Sequence, residues 1–295
     1  MNKFLERLNA GDVLVADGAT GTNLHLMGLK AGTPPEDLVM DNPDILLKLA
    51  GAFVEAGSDI ILTCTFGGTR LRMKDSKYVD RAPEVNLRAA ELARKAASKR
   101  TEVLVAGSMG PTGALLAPLG PLTPEQAFAS YAEQAKALSE GGVDLLLIET
   151  MFALEEATSA FDGARSVTDL PIVVSFSYDR GVRSMMGVKP TDVMKTYKDK
   201  GAVVIGGNCG TTLENMDKVV AEYAIAAPGF PIWAKPNAGL PHMDAETNTA
   251  IYDVTPEMMG EHAKKFVSMG ARIVGGCCGS TPEHVAAIAK AVHTS

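Results

Sequence analysis

No stretch of the 295-residue chain stays apolar for the ~20 residues that a membrane-crossing helix needs, so a helical membrane span is excluded and no membrane partner is expected. A positive excess is missing as well. The 28 Lys and Arg residues stand against 35 Asp and Glu, a net charge of −7, which offers no basic face for a phosphate backbone and argues against a nucleic-acid partner. Aromatic residues make up only 5%, with a single tryptophan, Trp233. The opening MNKFLERLNAGDV interleaves charges with Phe4, Leu5 and Leu8 and lacks the basic region, apolar stretch and cleavage site of a signal peptide, so a cytoplasmic chain is expected. Cysteine is scarce, with four in all. In a reducing compartment so few thiols point to metal binding or chemistry rather than a disulfide framework, with a buried inert thiol as the plain alternative.

What the chain does have is repetition. Short β-branched or aliphatic runs, each as long as a buried strand, begin at Val13, Asp59, Val103, Asp144, Pro171, Ala202, Pro231 and Ala271. Amphipathic helical stretches follow them at 44–56, 83–98, 124–140, 154–165, 190–200, 212–226, 256–269 and 282–293. Thr123-Pro124-Glu125, Thr255-Pro256-Glu257 and Thr281-Pro282-Glu283 each offer an N-cap, a proline at the first helical position and an acid in the first turn. Gly57, Gly142, Gly201 and Gly270 read as C-caps leading into the next strand.

Strands apolar on both faces and separated by helices imply a parallel sheet covered by helices. Length alone suggests about two domains, but eight uninterrupted units favour one (β/α)8 TIM barrel over residues 1–295. An open doubly wound sheet would carry a dinucleotide loop after its first strand, and Asp17-Gly-Ala-Thr-Gly-Thr22 lacks the G-x-G-x-x-G spacing.

Barrel chemistry collects where the strands end at their C-termini. Those ends carry Asp17, Cys64, Glu149, Asn208-Cys209, Asn237 and Cys277-Cys278, all facing one mouth. Cys209, Cys277 and Cys278 come from strands six and eight, on either side of strand seven, and three thiolates with one open position suit a catalytic zinc. Adjacent side chains on a strand point to opposite faces, but Gly275, Gly276 and Gly279 permit a sharp turn that relaxes this. Two other readings stand beside the metal: a strained vicinal disulfide, and a tight turn that buries one cysteine as a small hydrophobe. The amide oxygen of Asn237 is a fourth ligand in the absence of substrate or, equally, a turn former ahead of Gly239. Asp17 and Glu149 either cap local structure or bind a substrate ammonium group. Cys64 reads as a buried loop residue, Trp233 as barrel core, and His25, His242, His262, His284 and His293 mostly as surface or loop residues without ligand spacing.

With DGATGTNL at Asp17, TFGGTRLRM at Thr65, AGSMGPTG at Ala106, IETMFALEEA at Ile148, GGNCG at Gly206, KPNAGLP at Lys235 and GGCCGSTPEH at Gly275, the chain resembles the homocysteine S-methyltransferase family. It is similar in particular to the homocysteine-binding module of cobalamin-dependent methionine synthase. The resemblance implies a zinc-dependent enzyme that methylates L-homocysteine to methionine, with Cys209, Cys277 and Cys278 holding Zn2+ and the homocysteine sulfur in the open position. It places the amino-acid end of homocysteine against Asp17, Gly18, Ala19, Thr20 and Glu149. The donor it implies is a methylcorrinoid on a separate protein or a small sulfonium or ammonium compound. A free-standing barrel is expected, because Ser295 follows directly on the eighth helix. At Thr63-Cys64-Thr65-Phe66 the sequence departs from the family's T-N-T-F. The rival readings are a methyltransferase acting on another small thiol or demethylating a different donor, and a non-catalytic zinc-binding or redox-sensing protein using Cys277 and Cys278.

Overall fold

The computed structural model describes residues 2–243 and 250–293. Its barrel strands are β1 (Leu14–Val15), β2 (Ile60–Leu62), β3 (Leu104–Met109), β4 (Leu145–Met151), β5 (Ile172–Phe176), β6 (Val204–Cys209), β7 (Ile232–Pro236) and, after a short antiparallel pair of β8 (His242–Met243) and β9 (Ala250–Ile251), β10 (Ala271–Val274). The helices are α1 (Lys3–Ala10), α2 (Thr20–Leu26), α3 (Leu38–Asp41), α4 (Pro43–Glu55), α5 (Ala82–Ala97), α6 (Pro124–Glu140), α7 (Leu154–Arg165), α8 (Pro190–Lys200), α9 (Leu213–Ala226), α10 (Pro256–Ser268) and α11 (Pro282–His293). The eight helical stretches read from the sequence are α4 to α11, each within a residue. Thr123 and Thr255 accept the expected bonds from Gln126 N and Met258 N. Gly57, Gly142, Gly201 and Gly270 take left-handed backbone at the helix ends. Among the described residues no helix is long and apolar enough to cross a membrane.

All the barrel ladders are parallel, in the order β1-β10-β7-β6-β5-β4-β3-β2. The ring closes between β1 and β2 through a single parallel bridge, Ala16 to Ile60, and carboxylates complete it: Asp59 Oδ2 accepts from Val15 N at 2.8 Å and Asp17 Oδ2 from Leu62 N at 2.8 Å. Strand alternation sends Leu14 and Ala16, Leu104 and Ala106, and Leu145 and Leu147 inward, where they meet Ile60, Val173, Val204, Trp233 and Ile273 in a core separate from the strand–helix layer. Trp233 is fully buried there, as its place in the seventh strand predicts.

The inner core also takes in Phe4 of α1. Asn2 caps this helix by accepting from Phe4 N and Leu5 N, and its own amide donates to Asp144 O at 2.8 Å. Arg7 pairs with Asp59 at 3.0 Å. The helix thus closes the barrel end opposite the strand C-termini. Phe4→Ala should cost about 3–5 kcal/mol by leaving a cavity in a close-packed interior, read as a lower denaturant midpoint with an unchanged slope. His284 corrects the surface expectation for the histidines: it is buried on α11, with one ring nitrogen 2.9 Å from Val254 O and the other 3.0 Å from Thr281 Oγ1.

Candidate metal and substrate site

One step above the apolar layers, the inward row of five strands turns polar. Ser108 follows Ala106, Glu149 follows Leu147, Ser175 follows Val173, Asn208 follows Gly206 and Lys235 follows Trp233, each two residues further on and each buried. Ser108, Glu149 and Lys235 of this layer floor a cavity of about 670 Å³ at the strand C-termini. Gly18 to Thr22, Glu36, Thr63 to Gly67, Arg72, Glu149, Cys209, Lys235, Cys277 and Cys278 are among its lining residues.

The three cysteines converge. The sulfurs of Cys209, Cys277 and Cys278 lie within 4.8 Å of one another, with Cys209 Sγ 3.7 Å from Cys278 Sγ, and all are free thiols. The edge of a tetrahedron with ~2.3 Å zinc–sulfur bonds is about 3.8 Å, so the spacing fits a metal-binding set. Cys277 and Cys278 reach the same point because they no longer lie on a strand. Cys277 N donates to Pro236 O at 2.7 Å, and Ser280 N then closes a turn onto Cys277 O at 3.0 Å. Gly279, with φ 81°, supplies the left-handed third position of that turn, and a Cβ on Gly276 would strike the Ser280 side chain. The glycine-rich setting has the geometric role that the sequence suggests.

Cys209 is held differently. It and Thr150 are the non-glycine residues with left-handed backbone among those described, each at φ 59°. Such residues persist only where their surroundings over-determine them. For Thr150 the buried amide of Asn208, the residue directly before Cys209, does so: its oxygen accepts from Thr150 N at 2.9 Å and Ser175 Oγ at 2.6 Å, and its nitrogen donates to Thr150 Oγ1 at 2.7 Å. That nitrogen is also 3.9 Å from Cys277 Sγ. Asn237 joins the two cysteine-bearing turns, accepting from Cys278 N at 3.1 Å and donating to Gly210 O at 3.0 Å. Its oxygen is therefore engaged in the clamp, and service as a fourth ligand would require giving up the Cys278 bond.

Lys235 is the site residue that the sequence reading passes over. Its Nζ is 2.9 Å from Asp17 Oδ1 and 3.4 Å from Gly18 O, and its side chain is 3% exposed. Burial would pull the ammonium down, but Asp17, Glu149 and Cys277 outweigh it and hold Lys235 above the usual lysine range. Asp17 is in turn spent on Lys235 and Leu62 N, so its carboxylate stands behind the cavity wall while Gly18, Ala19 and Thr20 line it. Glu149 accepts from Ser108 Oγ at 2.5 Å; burial pushes it up to about 7, with Lys235 pulling down and Cys277 pushing further up. Bonds from the Cys209 and Cys278 thiols hold Cys277 well below an ordinary thiol, with burial opposing and Lys235 assisting. Cys209, donating to both partners in a buried setting, is raised. Cys64 lines the cavity outside this cluster, and burial, with Glu36 nearby, pushes its thiol up.

A (β/α)8 barrel whose thiols, acid and buried amine meet at the C-terminal mouth belongs to the class of barrel enzymes that build their site on strand ends. The pattern of the homocysteine S-methyltransferase family matches residues 14–292, and the chain belongs to that family of enzymes, whose reaction is methyl transfer to homocysteine. Among solved structures it is similar to the metallated form of the homocysteine methyltransferase MmuM from Escherichia coli, with TM-score 0.82 and 23% identity over 98% of this chain and 99% of that one. The apo form of MmuM superposes with TM-score 0.76 at 22% identity, over 98% of this chain and 100% of that one. A methyltransferase from Methanosarcina mazei shares the fold at TM-score 0.59 and 14% identity, over 96% and 94%.

Proposed function

We propose that residues 1–295 act as one homocysteine-binding domain in which Cys209, Cys277 and Cys278 hold Zn2+ and homocysteine is methylated to methionine. The observation that carries this reading is the sulfur spacing, 3.7 Å for Cys209 and Cys278 and under 4.8 Å throughout, on the wall of a cavity of about 670 Å³. Soft thiolates in a tetrahedral half-shell suit zinc. Bound there, zinc would leave one position for the homocysteine sulfur and favour its deprotonated, nucleophilic form. The remaining work falls to the chain. Glu149 has one oxygen on Ser108 and the other only loosely held by Asn208 at 3.5 Å, so that second oxygen is available to the substrate ammonium. The Gly18 to Thr20 backbone takes the other side of the amino-acid end, and Asn208 and Asn237 keep the cysteine turns in register.

For the donor, the methionine synthase likeness supports a methylcorrinoid on a separate protein, with a small sulfonium as the competing source. A quaternary ammonium such as betaine would call for several aromatic walls, and Phe66 is the aromatic side chain found among the lining residues. The test pairs metal analysis with turnover. The purified chain should carry about one zinc and form methionine from homocysteine with one of these donors. Methylation of a different small thiol without methionine would overturn the acceptor assignment, and a stoichiometric thiol–disulfide change without zinc would favour the redox-sensing reading.

A further inference from the structure

Lys235 is not explained by the fold alone. A strand interior made of Ile232, Trp233, Ala234 and Pro236 has no structural need for an ammonium group, and burying one is costly unless it is paired. Its partner Asp17 is equally buried, so the pair contributes no net charge. Its placement, however, is asymmetric. The lysine lines the cavity beside Glu149 and Cys277, whereas the Asp17 carboxylate is turned back toward the β1–β2 closure at Leu62 N. The cation therefore faces the place where the site gathers negative charge, and its counter-ion faces away.

Three cysteine thiolates with one divalent ion already sum to −1, and a homocysteine thiolate adds another negative charge. Buried charges interact through a medium less screening than water, so a fixed cation at this position favours an anionic sulfur over a neutral one. Building on the homocysteine reading above, we propose that Lys235 is a positioning residue that sets preference for a thiolate acceptor: its buried ammonium offsets the charge arriving with the homocysteine sulfur, while Asp17 holds it in place. A second consequence follows from the same geometry. Because Lys235 occupies Asp17, Glu149 alone of the two acids is left for the substrate ammonium.

The test compares two probes with the same amino-acid end. L-Homocysteine brings a sulfur that can ionise, and L-methionine brings a neutral thioether. Binding of each to the zinc-loaded chain is measured by calorimetry for wild type, Lys235→Met, Lys235→Arg and Asp17→Asn, with zinc per chain recorded for all. The ratio of homocysteine to methionine affinity is expected to fall at least about tenfold in Lys235→Met, to be largely kept in Lys235→Arg, and to rise in Asp17→Asn, which removes negative charge instead, an unchanged ratio there counting against the proposal. If Lys235→Met does not fold, the opposite behaviour expected of Asp17→Asn still decides. Equal weakening of both probes in the variants, or an unchanged ratio in Lys235→Met, would reduce Lys235 to a strut and overturn the proposal. Failure of the wild-type chain to bind homocysteine would sink the functional reading itself, and that outcome is visible before any substitution is made.

Discussion

Replacing Cys209 with alanine should remove metal and activity together. Two remaining sulfurs on one turn cannot form the three-sided half-shell that the 3.7 Å and sub-4.8 Å spacings create, so zinc affinity should fall by more than the roughly hundredfold that loss of a merely supporting partner costs. Metal analysis after dialysis against a mild chelator should find the variant essentially zinc-free, with methionine formation at background. The fold should survive, because Cys209 is only half-buried at the end of β6. Its backbone supplies an internal control. At φ 59° any side chain is strained, so Cys209→Gly should be more stable than Cys209→Ala by about 1 kcal/mol although both lose the metal. Retention of full zinc by either variant would remove Cys209 from the ligand set.

Asn208→Ala should be nearly as damaging without touching a proposed ligand. The substitution leaves the fully buried Ser175 Oγ and the part-buried Thr150 N without their acceptor, and each stranded buried group costs about 1–3 kcal/mol. It also frees the left-handed turn at Thr150 from the amide that holds it, and removes the anchor of the residue directly before Cys209. A loss of about 2–5 kcal/mol in denaturant unfolding and a ten- to hundredfold loss in zinc affinity are expected, the latter because partners behind a ligand set its direction. Asn208→Asp, which keeps an acceptor but places a charge beside Glu149, should recover part of the stability and little of the metal binding. Unchanged zinc affinity in Asn208→Ala would mean that Cys209 is positioned by its own strand alone.

Much of this molecule is legible in its sequence because barrel architecture is written locally. Each strand–helix unit carries its own apolar run, three helices add a Thr-Pro-Glu start and four a glycine stop, so eight units and many of their ends can be found without tertiary information. The cysteines are legible for a similar reason, since glycines crowd around Cys277 and Cys278. Lys235 and Asn208 are harder. Which face of a strand points into the barrel depends on register, and only with Trp233 fixed inside does Lys235, two residues later, fall on the cavity floor. The destination of Asp17 depends on ring closure, which brings residues 17 and 235 together. The first helix has apolar positions at Phe4, Leu5 and Leu8, but nothing within 13 residues specifies that they plug a barrel whose strands come later.

The closure between β1 and β2 gives this barrel a preferred place to breathe. Elsewhere a stave is fastened by a backbone ladder; here one bridge, with backbone bonds from Asp17 N to Ile60 O and Asp59 N to Val15 O, and two aspartate side chains do the fastening. Asp17 belongs to that seam and, through its own carbonyl, also accepts Gly276 N at 3.2 Å at the approach to the cysteine turn. A transient parting of the seam would therefore slacken the floor and the sulfur turn in one movement, and whatever fills the mouth acts on the barrel as a hoop. The amides of Val15 and Leu62 should exchange fastest among the barrel strands and slow most when zinc and homocysteine are added, so that loading the mouth would register as a tightening of the whole ring.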